Sequence, residues 1–135
     1  MDFKKLVELG TVSTNLHKRE IPFTRPLTTP KEEWADKDIP EYTGESEDVS
    51  VTVYLKPLNS ADEMEIARAD EYTRNHVAVF RSVRNPDGSQ LFESLDQVLS
   101  IESWLLLPIF KAIMEVRPKG PKASARKKSS GSKSA

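Results

Sequence analysis

The sequence predicts an α+β fold: a helix-dominated single domain with a small antiparallel sheet, followed by a basic, disordered C-terminal tail. Three observations predict it. The stretch Val49 to Leu55 alternates apolar and polar residues with the period of a strand, helix-start signals recur from Ser60 onward, and charge is segregated between body and tail. At 135 residues the chain has room for one core.

Met1-Asp2-Phe3-Lys4-Lys5-Leu6 carries two lysines with no apolar run behind them, so no secretory leader is expected. From Glu20 to Asp48 the chain is rich in charge and in proline, at Pro22, Pro26, Pro30 and Pro40. Each proline removes a backbone donor and biases the preceding residue toward extended geometry, which excludes a long helix and predicts a proline-rich arm or long loop over 20–48. Within it, Thr29-Pro30-Lys31-Glu32-Glu33 suits one short helical turn, with proline at the first position and acids at the positive end of the dipole.

The alternation of Val49, Val51, Val53 and Leu55 with Ser50, Thr52 and Tyr54 predicts a strand with one buried face. Its partner comes from Arg19–Arg25 or from Leu9–Thr14. Ser60-Ala61-Asp62-Glu63 reads as a capping box that starts a helix at about Ala61, with Met64, Ala67 and Tyr72 as a thin apolar stripe. Thr73–Val83 admits two readings. Val77, Phe80 and Val83 have helical spacing, yet Val77, Val79, Arg81 and Val83 alternate, and Asn85-Pro86-Asp87-Gly88 could turn a hairpin over 77–92.

Ser94-Leu95-Asp96-Gln97 is a second capping box, opening a short helix through Leu99. A last helix begins near Ser100 and Glu102, with Trp104, Leu105, Ile109, Ala112, Ile113 and Val116 as its buried set. Pro108 must kink it or mark its first turn, since an interior proline costs about 3 kcal/mol. Trp104–Phe110 is apolar on nearly all sides, which places this helix at the centre of the fold or in an interface. With Pro108 inside it, that stretch falls far short of the roughly 20 residues of a membrane span.

All 21 acidic residues lie within 1–116, where 13 of the 20 Lys and Arg accompany them, so the body carries −8; the remaining seven basic residues give 117–135 a charge of +7. The globular domain is therefore placed at 1–116 and the tail at 117–135. The tail has no aromatic or β-branched residue and cannot bury enough surface to offset its ordering entropy. Its Arg126-Lys127-Lys128 could touch nucleic acid, but the acidic body argues against a general nucleic-acid-binding protein.

No catalytic, cofactor-binding or metal-binding residues are assigned. His17 and His76 have basic neighbours and no converging ligands. Glu45-Ser46-Glu47-Asp48 and Asp62-Glu63-Met64-Glu65 lack the spacing and central glycine of a calcium loop. With no cysteine there is no disulfide framework, in keeping with a reducing compartment. A non-enzymatic, soluble, intracellular binding protein is expected. Its candidate partner-binding residues are Trp104, Leu105, Leu106, Ile109, Phe110 and Ile113, with an internal core helix as the competing reading.

The residues Tyr54-Leu55-Lys56-Pro57-Leu58, Ser60-Ala61-Asp62-Glu63, His76 to Arg84, Asn85-Pro86-Asp87-Gly88 with Leu91-Phe92, and Leu95-Asp96-Gln97-Val98-Leu99 before a hydrophobic helix form a pattern. It resembles the tail assembly chaperones of long-tailed bacteriophages of the siphovirus type, over about half the chain. The resemblance implies a non-enzymatic chaperone of the host cytoplasm, absent from the finished virion, that coats the tape measure protein, recruits tail tube protein subunits and self-associates. It also favours helix over hairpin in 73–83. The arm and the tail lie outside the matched pattern, and alternative roles are a structural connector of the phage particle or a nucleic-acid-associated protein acting through the tail.

Overall fold

The computed structural model describes residues 1–118; most of the basic tail, from 119 on, lies outside the described residues. The chain runs α1 (Phe3–Leu9), β1 (His17–Thr28), a 3-10 turn (Lys31–Glu33), β2 (Tyr42–Leu55), α2 (Ser60–Arg68), α3 (Arg74–Ser82), β3 (Val83–Arg84), α4 (Leu95–Leu99) and α5 (Ser103–Val116). Among the described residues, five helices and one three-stranded antiparallel sheet, ordered β1-β2-β3, make an α+β fold.

Most of the proline-rich segment is strand rather than loop. β1 pairs with β2 without interruption from His17 opposite Leu55 to Pro26 opposite Ser46, then shifts register before Thr28 meets Tyr42. Proline rules out helix but not an edge strand, where every second amide points away from the neighbour and needs no partner. Pro22 and Pro26 are four residues apart, so both turn the same way, outward from β2. Their pairing also makes β2 longer than its alternation suggested. Gly44, at φ 85, sits beside the register shift in a conformation that favours glycine. Of the two expected partners for β2 the Arg19–Arg25 segment is the one used; Leu9–Thr14 is instead the end of α1 and the loop after it, α1 being capped by the Asp2 side chain and burying no residue.

The register puts Ile21 opposite Val51 and Phe23 opposite Val49, so these residues share the inner face with Val53 and Leu55. α5 packs on that face, against β1. Ile21, Phe23, Leu55, Val79, Val83, Val98, Leu106, Ile109, Ala112 and Ile113 close the core. Three of the residues expected to be buried on α5, namely Ile109, Ala112 and Ile113, are buried; Trp104, Leu105 and Val116 are partly covered, and Leu106 joins the core in their place. Pro108 lies inside α5 and denies the Trp104 carbonyl its usual amide.

The segment 73–83 is helical, and only its end retains strand character. Val83 and Arg84 pair with Leu55 and Tyr54, and the Asn85–Gly88 turn brings Arg84 back opposite Gln90 in a single bridge. Gly88, at φ 91, closes the turn by donating its amide to the Asn85 carbonyl at 2.9 Å. The Ser89 hydroxyl and amide both donate to the Asp87 carboxylate, at 2.6 and 2.9 Å, and hold its pKa below the ordinary aspartate value.

α2 starts one residue earlier than expected. Its cap is Asn59, whose side chain accepts from the Asp62 amide at 2.9 Å while Asp62 accepts from the Asn59 amide at 3.0 Å. The buried Asp62 carboxylate also meets Lys56 Nζ at 2.6 Å, joining the end of β2 to α2. Asp62→Ala should lower stability by about 1–3 kcal/mol, measured by urea unfolding, because it removes the return bond of the capping box to the Asn59 amide and leaves a partly buried lysine unpaired. In the second box, Ser94 caps α4 as expected, but Gln97 reaches the amide of Glu93 instead of Ser94. Arg117, expected to begin the tail, is held to the body through an ion pair with Glu63 on α2.

Candidate functional site

α5 lies over β1 and leaves the inner face of β2 only half covered. Leu55 at the covered end is fully buried, Val49 and Val53 are partly buried, and Val51 between them is 48% exposed. The uncovered strip forms a groove of about 360 Å³. Its floor is Phe23, Val49, Val51 and Val53, one wall is Trp104, Leu105 and Ile109 of α5, and Leu91 and Pro86 close the end near β3.

The groove runs beside an unpaired strand edge. Among the described residues, β2 meets β3 only at Tyr54 and Leu55, so from Tyr42 to Val53 its side away from β1 has no strand beside it. Which backbone groups face that side follows from the register. In an antiparallel pair, residues alternate between those bonded to the partner and those whose N–H and C=O point away. Pro22 has no N–H and pairs with Ser50, and Pro26 pairs with Ser46, which suits the non-bonded positions. Lys56, in the same phase, donates its amide to the Ser82 carbonyl on the β3 side at 2.7 Å. Ser46, Asp48, Ser50 and Thr52 therefore direct their backbone groups to the open edge.

The rest of the edge is acidic. Glu45, Glu47 and Asp48 lie on it, and Arg25 of β1 pairs with Glu47 at 3.0 Å. Thr24 Oγ1 donates to Asp48 Oδ1 at 3.1 Å. Further along, the Tyr42 hydroxyl donates to the Glu102 carboxylate at 3.0 Å, tying the far end of β2 to the start of α5; this bond favours the protonated phenol and raises its pKa.

The six residues expected to bind a partner divide between two environments. Trp104, Leu105 and Ile109 line the groove, Ile109 as a buried residue, and Phe110 is partly buried against the core. Leu106 and Ile113 are enclosed by the chain itself, so their apolar surface is already used. The valines of β2 were expected only as a buried face. Their signal was the alternation itself, but that they line an open groove depends on where α5 settles.

A second cleft lies between α5 and the outer edge of β1, lined by Arg19, Glu20, Leu107, Lys111 and Glu115. Its charged walls and the prolines of β1 make it a poorer strand acceptor. His17 begins β1 and His76 lies on α3. Among the described residues no group of three or more His, Asp or Glu converges as a metal ion would require, and no helix is long and apolar enough to cross a membrane.

The fold and the groove define a small α+β protein with an apolar cleft beside an accessible sheet edge. Compared with models of known protein families, with curated proteins and with solved structures, the chain finds no match.

Proposed function

We propose that this protein is a bacteriophage tail assembly chaperone that binds the tape measure protein, recruits tail tube subunits in the host cytoplasm and leaves before the virion is complete. The observation that carries the reading is the half-covered inner face of β2. A small domain that could bury Val51 under its own helix instead leaves it beside an exposed tryptophan-lined cleft, an arrangement suited to holding another apolar chain. The resemblance of residues 49–116 to such chaperones adds to it, since the strand end, the capped helices and the hydrophobic helix of that pattern are the elements around the groove.

A binding function of this kind asks for no chemistry, only apolar surface and reversible release. α1 offers a separate apolar stripe, Phe3, Leu6 and Val7, all exposed and available for self-association. The test is co-expression of the full chain with the tape measure protein of the same phage. The chaperone reading expects the two to co-purify and the chain to be missing from purified particles. Finding it as a stoichiometric part of the particle would overturn that reading in favour of a connector.

A further inference from the structure

We infer that the groove accepts its partner as an added strand: an extended segment of another protein pairs with the open edge of β2 and places alternate apolar side chains between Val51 and Trp104. The inference rests on the protein-binding reading above and adds the geometry and the chemistry of what is bound.

Two independent features of β2 converge on it. The first is backbone: Ser50 and Thr52 present N–H and C=O groups outward with no partner strand among the described residues. A helix laid in the groove would leave those groups to water, whereas a strand bonds them. The second is side chains. The groove lies on the same face as Val49, Val51 and Val53, so the residues of an added strand that stand beside these valines point into it, and every second residue of the partner must be apolar. The opposite sheet edge is closed to the same use, because Pro22 and Pro26 lack donors on β1. One edge is blocked and the other is left open.

Charge decides the occupant. A second copy pairing its own β2 here would bring two sets of Glu45, Glu47 and Asp48 together, with one Arg25 from each copy to offset them. A segment whose alternating apolar stretch ends in basic residues meets the valines with the first part and the carboxylates with the second. The partner is therefore an extended, alternating apolar segment with lysine or arginine at the end nearest Glu45.

The experiment uses fluorescein-labelled synthetic decapeptides in which valine alternates with threonine and two lysines stand at one end. A control of the same composition has its valines at helical spacing. Fluorescence anisotropy on the full chain should show the alternating peptide binding about tenfold or more tighter than the control. Placing the lysines at the carboxyl end fits antiparallel addition and at the amino end parallel addition, so the preferred order reports the direction. Ser50→Pro removes an outward donor while copying the proline already tolerated opposite it, and Val51→Lys puts a charge into the groove at an exposed position. Each should weaken binding about tenfold or more with the circular dichroism spectrum unchanged. Equal binding of the two peptides, or unchanged affinity in both folded variants, would overturn strand addition. Sedimentation equilibrium covers the rival occupant: if Ser50→Pro converts a dimer to a monomer, a second copy holds the edge and the proposal fails. Retention of the tape measure protein by both variants would sink strand addition and leave the chaperone reading standing. Peptide binding with no retention of that protein by the wild type would do the reverse.

Discussion

Leu106→Asp should unfold the protein, and Leu107→Asp, one residue further along the same helix, should leave it folded. Leu106 is 6% exposed and packs among Ile109, Phe23 and the rest of the core, whereas Leu107 is 54% exposed. A carboxylate at 106 loses the apolar contact and, among the described residues, finds no buried Lys or Arg to pair with, a combined cost of about 4 kcal/mol or more. That is a large share of the roughly 5–15 kcal/mol by which a domain is stable. At 107 the charge points to water and the change should be within about 0.5 kcal/mol. Thermal melting followed by circular dichroism separates the two outcomes. If Leu106→Asp melts like the wild type, α5 does not pack on β1 through this residue.

Ile113→Ala should cost about 2–5 kcal/mol, toward the upper part of that range, because the side chain is fully buried where α5 meets α3 and the covered end of the sheet. Leu55, also fully buried, holds β2 to both neighbours there, so the core offers little freedom to collapse around the lost atoms. The check is the urea midpoint at constant m-value. A loss below about 1 kcal/mol would mean that the site relaxes, and that this end of α5 is less tightly enclosed than its burial indicates.

The helices were largely legible because their signals are local. Ser94 caps α4, and the Asn85–Gly88 turn needs only its own four residues to form; the box that opens α2 was placed one residue late, at Ser60 and Glu63, where Asn59 and Asp62 form it. The inner face of β2 was legible from its period, and the terminal hydrophobic helix from its density of apolar residues. Arg19–Arg25 was legible as one of two possible partners for β2, but the full length of β1 was hidden by its prolines, whose effect depends on whether their amide side faces a neighbour, and only the register with β2 settles that. The site was half legible. Trp104, Leu105 and Ile109 could be singled out as an apolar surplus, but their separation from Leu106 and Ile113 is a matter of which side of α5 meets β1. The groove itself is a tertiary product: it exists because one helix covers one strand of a pair and leaves the other partly bare.

That partly bare strand is where the account is most exposed to test. Amide hydrogen exchange should be followed on the full chain alone and in the complex that the proposed function expects it to form with a tape measure protein. The amides of Ser50 and Thr52, which face the open edge, should exchange quickly in the free protein and slow by about tenfold or more in the complex, with α1 and the outer side of β1 unchanged. A complex that forms while those two amides exchange at their free rate would contradict the placement of the binding surface on β2.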